Sequence, residues 1–126
     1  MVKITEDYVS FETSKLLKEK GFNKVKCQNS PHFAYNRDGQ FSGPSWDTEY
    51  NAPTIQMAMK WLREVHNLFI EPYVVKNYGK KKLEYTYSIQ DLDFQGSDDG
   101  IECCKNLDTP EQACEEAIKY CLENLI

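Results

Sequence analysis

Apolar side chains recur at helical spacing in three segments of the chain. The first segment follows Ser10, which can cap a helix, and runs to Gly21, where a left-handed stop is expected. The second and clearest follows Thr54 and stops at Asn67. Its apolar stripe is made of Ile55, Ala58, Met59, Leu62 and Val65, with Trp61 beside it.

The third helical segment begins with Thr109-Pro110-Glu111-Gln112. This sequence combines a cap, a proline at the first helical position and a capping-box glutamine. A wide apolar face follows, made of Ala113, Cys114, Ala117, Ile118, Cys121, Leu122 and Leu125.

Alternating and extended patterns predict strands between these helices. A hairpin is predicted over residues 24–41, where Asp38-Gly39 favours a tight turn. Residues 42–53 read as a loop. A second hairpin joins residues 68–76 to the alternating strand at 83–89, an acidic loop covers 91–100, and a short strand is predicted over 101–105.

This order of elements, α-ββ-α-ββ(β)-α, predicts an α+β protein. We expect a two-layer sandwich in which helices cover one face of an antiparallel sheet of about four to five strands. The 126 residues are enough for one domain, so residues 1–126 are predicted to be a single α+β domain.

Composition and cysteine usage predict a soluble, cytoplasmic protein. No apolar run approaches the length of a membrane span, and the first residues become acidic where a secretory signal would be apolar. The five cysteines form an odd set, which favours reduced thiols over a secreted disulfide framework.

Charge is unevenly distributed along this acidic chain, whose formal net charge is −5. Residues 1–83 carry 13 Lys/Arg against 9 Asp/Glu, a net of +4, whereas residues 84–126 carry 2 against 11, a net of −9. This polarity argues against wholesale nucleic-acid binding and fits either a basic partner or a solvated acidic face.

Two stretches resemble a known group of sequences: YVSFETSKLLKEKGF at residues 8–22 and YNAPTIQMAMKWLREVHNLFIEPYV at residues 50–74. They are similar to a family of small uncharacterised proteins of gut Bacteroidetes and their phages or prophages. The resemblance implies a mobile-element context in a bacterial cytosol. It implies no activity, cofactor or catalytic residue.

Two patterns in the sequence contain residue types that bind metal ions. Asp91, Asp93, Gln95 and Glu102 nearly reproduce the spacing of an EF-hand calcium loop, although Gln95 departs from the usual Asp or Asn; the alternative is a solvated acidic loop. A zinc site would need Cys103 and Cys104 with Cys27 and His32, yet the chain has no spaced C-x-x-C pair. We therefore predict no metal and no cofactor.

His66 is the best candidate for a general base, because Glu64 and Glu71 flank it in sequence. A histidine in the last helical turn also complements the helix dipole, and no nucleophile motif accompanies it. The sequence leaves a hydrolase-like enzyme open and favours a protein without catalytic activity.

The chain is rich in aromatic residues, with eight tyrosines and two tryptophans. We predict a protein-protein interaction module that binds through them, since Tyr and Trp are favoured at interfaces. The alternative is single-stranded nucleic acid bound by the Tyr-rich hairpin beside Lys80–Lys82, which the net charge disfavours. A homodimer is left open. The candidate binding residues are Trp46, Tyr50, Trp61, Tyr73, Tyr78, Tyr85 and Tyr87.

Overall fold

The predicted α+β class is confirmed by the computed structural model, which describes residues 7–22, 32–35, 39–45, 50–51, 53–91, 101–102 and 106–126. Within these residues the elements follow in the order α-βββ-α-βββ-α. They are α1 (Phe11–Glu19), β1 (His32–Tyr35), β2 (Phe41–Ser45), β3 (Tyr50–Asn51), α2 (Ile55–His66), β4 (Leu68–Asn77), β5 (Lys82–Asp91), β6 (Ile101–Glu102) and α3 (Pro110–Tyr120), which continues as a π-helical turn (Cys121–Leu125).

The helix boundaries lie where the caps predict them. The side chains of Ser10, Thr54 and Thr109 each accept a hydrogen bond from the backbone N–H three residues later. Such caps contribute about 1 kcal/mol each. Gly21 and Asn67 have left-handed backbones with φ of 96° and 57°, which ends α1 and α2 as predicted.

The described strands pair as two three-stranded antiparallel sheets, in the orders β2-β1-β3 and β4-β5-β6. The predicted single sheet of four to five strands is therefore not what these residues form. Part of the predicted loop at residues 42–53 is also extended, because β2 reaches Ser45 and β3 spans Tyr50–Asn51. Both strands pair with β1, a contact that the local sequence does not encode.

The predicted hairpin at 68–89 is confirmed and is the longest pairing among the described residues. Its two ten-residue strands run in continuous register from Leu68 opposite Asp91 to Asn77 opposite Lys82. One face carries Ile70 and Ile89, which are buried beneath the helices, since α3 contacts both strands and α2 contacts β4.

The opposite face of β5 is largely buried, although alternation of apolar and polar residues is typical of a strand with one face in water. Glu84, Thr86 and Ser88 are buried although they alternate with the apolar residues of the strand. Thr86 lies opposite Tyr73, and Ser88 opposite Glu71. Short side chains on a central strand are shielded by longer neighbours on the adjoining strand, which accounts for the burial of Thr86 and Ser88.

The core lies between the helices and the inner face of the β4–β5 hairpin. The wide apolar face predicted for α3 is confirmed, and Leu17 of α1 joins it. The predicted stripe of α2 joins it too, except that Val65 is exposed and was wrongly assigned to the stripe. Its buried members are Val9, Leu17, Phe22, Ile55, Ala58, Trp61, Leu62, Leu68, Ile70, Tyr87, Ile89, Ala113, Cys114, Ala117, Ile118, Cys121 and Leu122.

Two core residues, Cys114 and Cys121, are free cysteines whose thiols are made harder to ionise by burial. Burial raises the pKa of Cys114 from 9.0 to about 11, with a further contribution from Glu111. Burial likewise raises the pKa of Cys121 from 9.0 to about 12, with Asp91 adding to the effect. Both thiols are protonated at neutral pH and pack as small apolar side chains.

These raised pKa values predict a loss of stability in alkali. The folded state keeps its thiol protons while the unfolded state releases them, so stability is fully present below pH 9.0 and falls as the pH rises towards 11 and 12. Denaturant unfolding across this range should show a shallower decline for Cys121→Ala than for the parent chain. An identical decline in both proteins would contradict the assignment.

Candidate functional site

The seven aromatic residues predicted to form a binding site do not share one environment. Trp61 and Tyr87 are buried in the core, and Tyr85 is partly buried. Trp61 packs edge-on against Phe22, with 5.4 Å between ring centroids. These residues stabilise the fold, and their rings offer a partner little surface.

Tyr73 and Tyr78 are the exposed members of the predicted set among residues whose side chains the structure describes. Tyr78 lies in the turn of the β4–β5 hairpin and is 82% exposed. The side chains of Trp46 and Tyr50 lie outside the described part of the chain. Both exposed members of the predicted set therefore lie on one hairpin.

Aliphatic residues that the sequence analysis did not select extend this exposed area. Val74 and Leu83 are 50% and 52% exposed. Val74 lies opposite Tyr85, and Leu83 lies opposite Lys76, so Val74 and Leu83 are diagonal neighbours on one sheet face. Beyond them a depression of about 330 Å³ is lined by Lys76, Asn77, Tyr78, Lys81, Lys82 and Leu83. We call Val74, Lys76, Tyr78, Lys81 and Leu83 the hairpin surface.

Hydrogen bonds hold the tip of the hairpin in place. The side-chain oxygen of Asn77 accepts a hydrogen bond from the backbone N–H of Lys80 at 3.1 Å, and its amide donates to the carboxylate of Glu84. Lys82 forms an ion pair with Asp108 at 3.2 Å. Lys76, Lys80 and Lys81 are exposed, so the tip is a basic area on an acidic protein.

A second concave region, which sequence reasoning missed, lies where the N-termini of the three helices meet. A groove of about 580 Å³ is lined by residues from the segments that open α1, α2 and α3, including Asp7, Glu111, Glu115 and Glu116. A smaller depression of about 260 Å³ shares Asp7, Ile55 and Glu111 with it and reaches Pro72 of β4. The helix caps and the acidic C-terminal part of the chain are the features of the sequence that contribute to this groove.

Glu115 connects two helices across this groove. One carboxylate oxygen accepts hydrogen bonds from the backbone N–H of Ser10 at 2.9 Å and from the hydroxyl of Thr13 at 2.7 Å. The other oxygen is buried and has no hydrogen-bond partner among the described residues. These contacts make Glu115 a structural link between α3 and the start of α1.

His66 is not arranged as a general base within the described part of the chain. Its ring packs edge-on against Trp61, with 4.7 Å between centroids, and its Nε2 atom is buried without a hydrogen-bond partner there. Glu64 instead approaches Arg63 at 3.8 Å. The described residues bring neither Glu64 nor Glu71 into a hydrogen bond with His66.

The metal candidates fall mainly on residues that the structure does not describe. Asp91 closes β5, whereas Asp93, Gln95 and the side chain of Glu102 lie outside the described part, as do Cys27, Cys103, Cys104 and the side chain of His32. In the described residues, no group of three or more His, Cys, Asp or Glu side chains is placed to hold a metal ion. The prediction that the chain holds no metal therefore stays a prediction.

Comparison with protein-family models, curated proteins and solved structures found no match to this chain. Among the described residues, no helix is long and apolar enough to cross a membrane.

Proposed function

We propose that this chain is a non-catalytic protein-binding module that contacts its partner through the hairpin surface. The observation that carries the proposal is the joint exposure of Val74, Tyr78 and Leu83 at one end of the β4–β5 hairpin. Apolar side chains scattered singly over a surface need no explanation, whereas clustered ones are characteristic of interaction sites.

The chemistry of the hairpin surface indicates the kind of partner it accepts. Val74 and Leu83 favour an apolar contact, and the exposed tyrosine supplies a rigid ring with a polar end. Lys76 and Lys81 at its margin favour carboxylates and select orientation more than they add affinity. We therefore infer an apolar partner segment flanked by acidic groups.

The proposal includes the two-layer arrangement and the cytosolic setting expected from the sequence. Packing of α3 against β4 and β5 supports helices on one sheet face. Val74 and Leu83 in the distal half of the hairpin are exposed among the described residues. The free thiols of Cys114 and Cys121 support a reducing compartment. The resemblance to proteins of Bacteroidetes and their phages suggests a bacterial host protein as the partner.

Affinity enrichment from a bacterial lysate tests the proposal with matched variants. Val74→Asp combined with Leu83→Asp should abolish recovery of a specific protein, because both charges would have to be buried at the interface. Val65→Asp is the control, since Val65 is 58% exposed on α2 and lies outside the hairpin surface. Equal recovery with both variants would refute the hairpin surface as the binding site.

Single-stranded nucleic acid is the second candidate, favoured by Tyr78 standing among Lys76, Lys80 and Lys81. An exposed ring beside cations can stack a base while the lysines contact phosphates. The partly buried Tyr85 and the buried Tyr87 offer little ring surface to such a platform. Nuclease treatment of the lysate separates the candidates, because it would eliminate an RNA or DNA ligand and leave a protein partner in place.

A further inference from the structure

Among the described residues, the outer side of β4 is an open sheet edge over part of its length. β4 is the terminal strand in the order β4-β5-β6, and no described residue pairs with its outer side. β5, in contrast, is paired on its far side with β6 and, through Tyr85, with Leu107. Unpaired strand edges are templates for pairing with another chain.

The hydrogen bonds of Tyr85 fix the direction of the backbone groups on β4. Tyr85 exchanges backbone hydrogen bonds with Leu107 at 2.8 and 2.7 Å, so its N–H and C=O point away from β4. Val74, which lies opposite Tyr85, must then direct its own N–H and C=O away from β5. The backbone groups of Pro72 and Lys76 also point away from β5, because orientation repeats every two residues along a strand. The missing N–H of Pro72 therefore costs the β4–β5 ladder no hydrogen bond.

Exposure limits the open edge to the distal half of β4. Leu68 and Ile70 are buried in the core, whereas Pro72, Val74 and Lys76 are exposed. The outward-pointing residues of this half are therefore centred on Val74. A segment centred on one residue can pair with an identical antiparallel segment about a two-fold axis.

We propose that the occupant of this edge is a second copy of the chain, whose β4 pairs antiparallel with the first about Val74. This inference goes beyond the proposed function, because it assigns a self-association contact to the β4 edge of the hairpin. The two Val74 residues exchange reciprocal N–H to C=O hydrogen bonds, and each Lys76 N–H donates to the Pro72 carbonyl of the other copy. On the opposite face, Tyr73 of each copy meets Val75 of the other.

Charge along the edge is complementary to itself in this arrangement. Lys76 marks the end near the turn, and Pro72 marks the other end, where it shares a depression with the acidic residues Asp7 and Glu111. Antiparallel pairing places Lys76 of one copy opposite Pro72 of the other and thus towards Glu111 of that copy. A parallel arrangement would instead place like charges together, which is unfavourable.

Analytical ultracentrifugation of the full chain over a range of concentrations tests the proposal. The parent chain should show a concentration-dependent dimer. Val74→Pro removes the central N–H from the interface and leaves the β4–β5 ladder complete, because that N–H points away from β5. We expect the dissociation constant of the dimer to rise at least about tenfold. The reason is that two hydrogen bonds are lost and the two β4 edges no longer pack closely.

A charge exchange provides the second measurement in case Val74→Pro perturbs folding. Lys76→Glu should also weaken the dimer, and combining it with Glu111→Lys should restore association. Lys80→Glu makes the same change of charge in the turn and should leave the dimer intact. Circular dichroism verifies that each variant is folded.

A parent chain that stays monomeric at millimolar concentration would overturn the proposal, as would a dimer unaffected by Val74→Pro and Lys76→Glu. If the chain is monomeric and Val74→Pro still abolishes recovery of another protein, the edge binds a foreign strand; the second-copy proposal then fails and the proposed function stands. If the dimer forms as described and the hairpin variants do not change the recovery of a protein from lysate, the proposed binding of another protein fails and the dimer stands.

Discussion

Replacing Leu62 with alanine is expected to lower the free energy of unfolding by about 3 kcal/mol, within the usual range for a leucine removed from a packed core. Leu62 is fully buried on α2, among apolar side chains of the central cluster. The substitution forfeits the burial of the removed carbons and leaves a cavity that neighbouring side chains fill incompletely. Urea unfolding followed by circular dichroism measures the change.

Val65→Ala is the matched control for this prediction. Val65 lies on the same helix but is largely exposed, so its truncation should change stability by no more than about 0.5 kcal/mol. Alanine has the higher helix propensity, which offsets any small loss of contact. Similar effects of the two substitutions would show that α2 presents a different face to the core.

Replacing Glu115 with alanine is expected to cost about 2 kcal/mol, because hydrogen bonds to a charged group are lost and a buried hydroxyl loses its acceptor. Thr13 is fully buried, and its hydroxyl donates to the Glu115 carboxylate at 2.7 Å. The same oxygen accepts from the N–H of Ser10, at the start of α1. Thermal or denaturant unfolding of the variant measures the loss.

Two further variants distinguish this structural link from a general effect of charge. Glu115→Gln keeps an acceptor oxygen and should fall between the alanine variant and the parent chain. Glu116→Ala removes the adjacent carboxylate, which forms no hydrogen bond among the described residues, and should have a small effect. Equal losses at positions 115 and 116 would contradict the role assigned to Glu115.

Local signals in the sequence predict the helices and the long hairpin well. Ser10, Thr54 and Thr109 act as caps through hydrogen bonds that span only three residues, and Asn67 ends its helix through its own backbone conformation. Features of this kind are encoded by neighbouring residues, so periodicity and cap chemistry are sufficient to identify them.

Pairing between distant strands is predicted less well. The segment containing β2 and β3 includes Gly43, Pro44 and Pro53, which are typical of loops, and it shows no alternation. These strands form because β1 offers backbone partners on both sides. The separation of six strands into two sheets depends on such tertiary contacts, which override local propensity.

The residues of the hairpin surface follow only in part from the sequence. Residue type selects Tyr78, but it does not distinguish this exposed ring from the buried rings of Trp61 and Tyr87. Alternation along β5 predicts that Leu83 faces inward, as Ile89 does. Leu83 does lie on the same sheet face, but the strand continues beyond its buried half, so its side chain is exposed.

The pairing of Tyr85 with Leu107 has a thermodynamic consequence for the hairpin and the start of α3. Leu107 is two residues before the cap of α3, and Asp108 between them is bonded to Lys82 of the hairpin. The distal hairpin and the start of α3 are thus joined through the successive residues Leu107 and Asp108. Local unfolding of one region must therefore break contacts of the other. Any ligand that stiffens the hairpin will also suppress fraying of the first turn of α3, so the two regions will gain or lose order together.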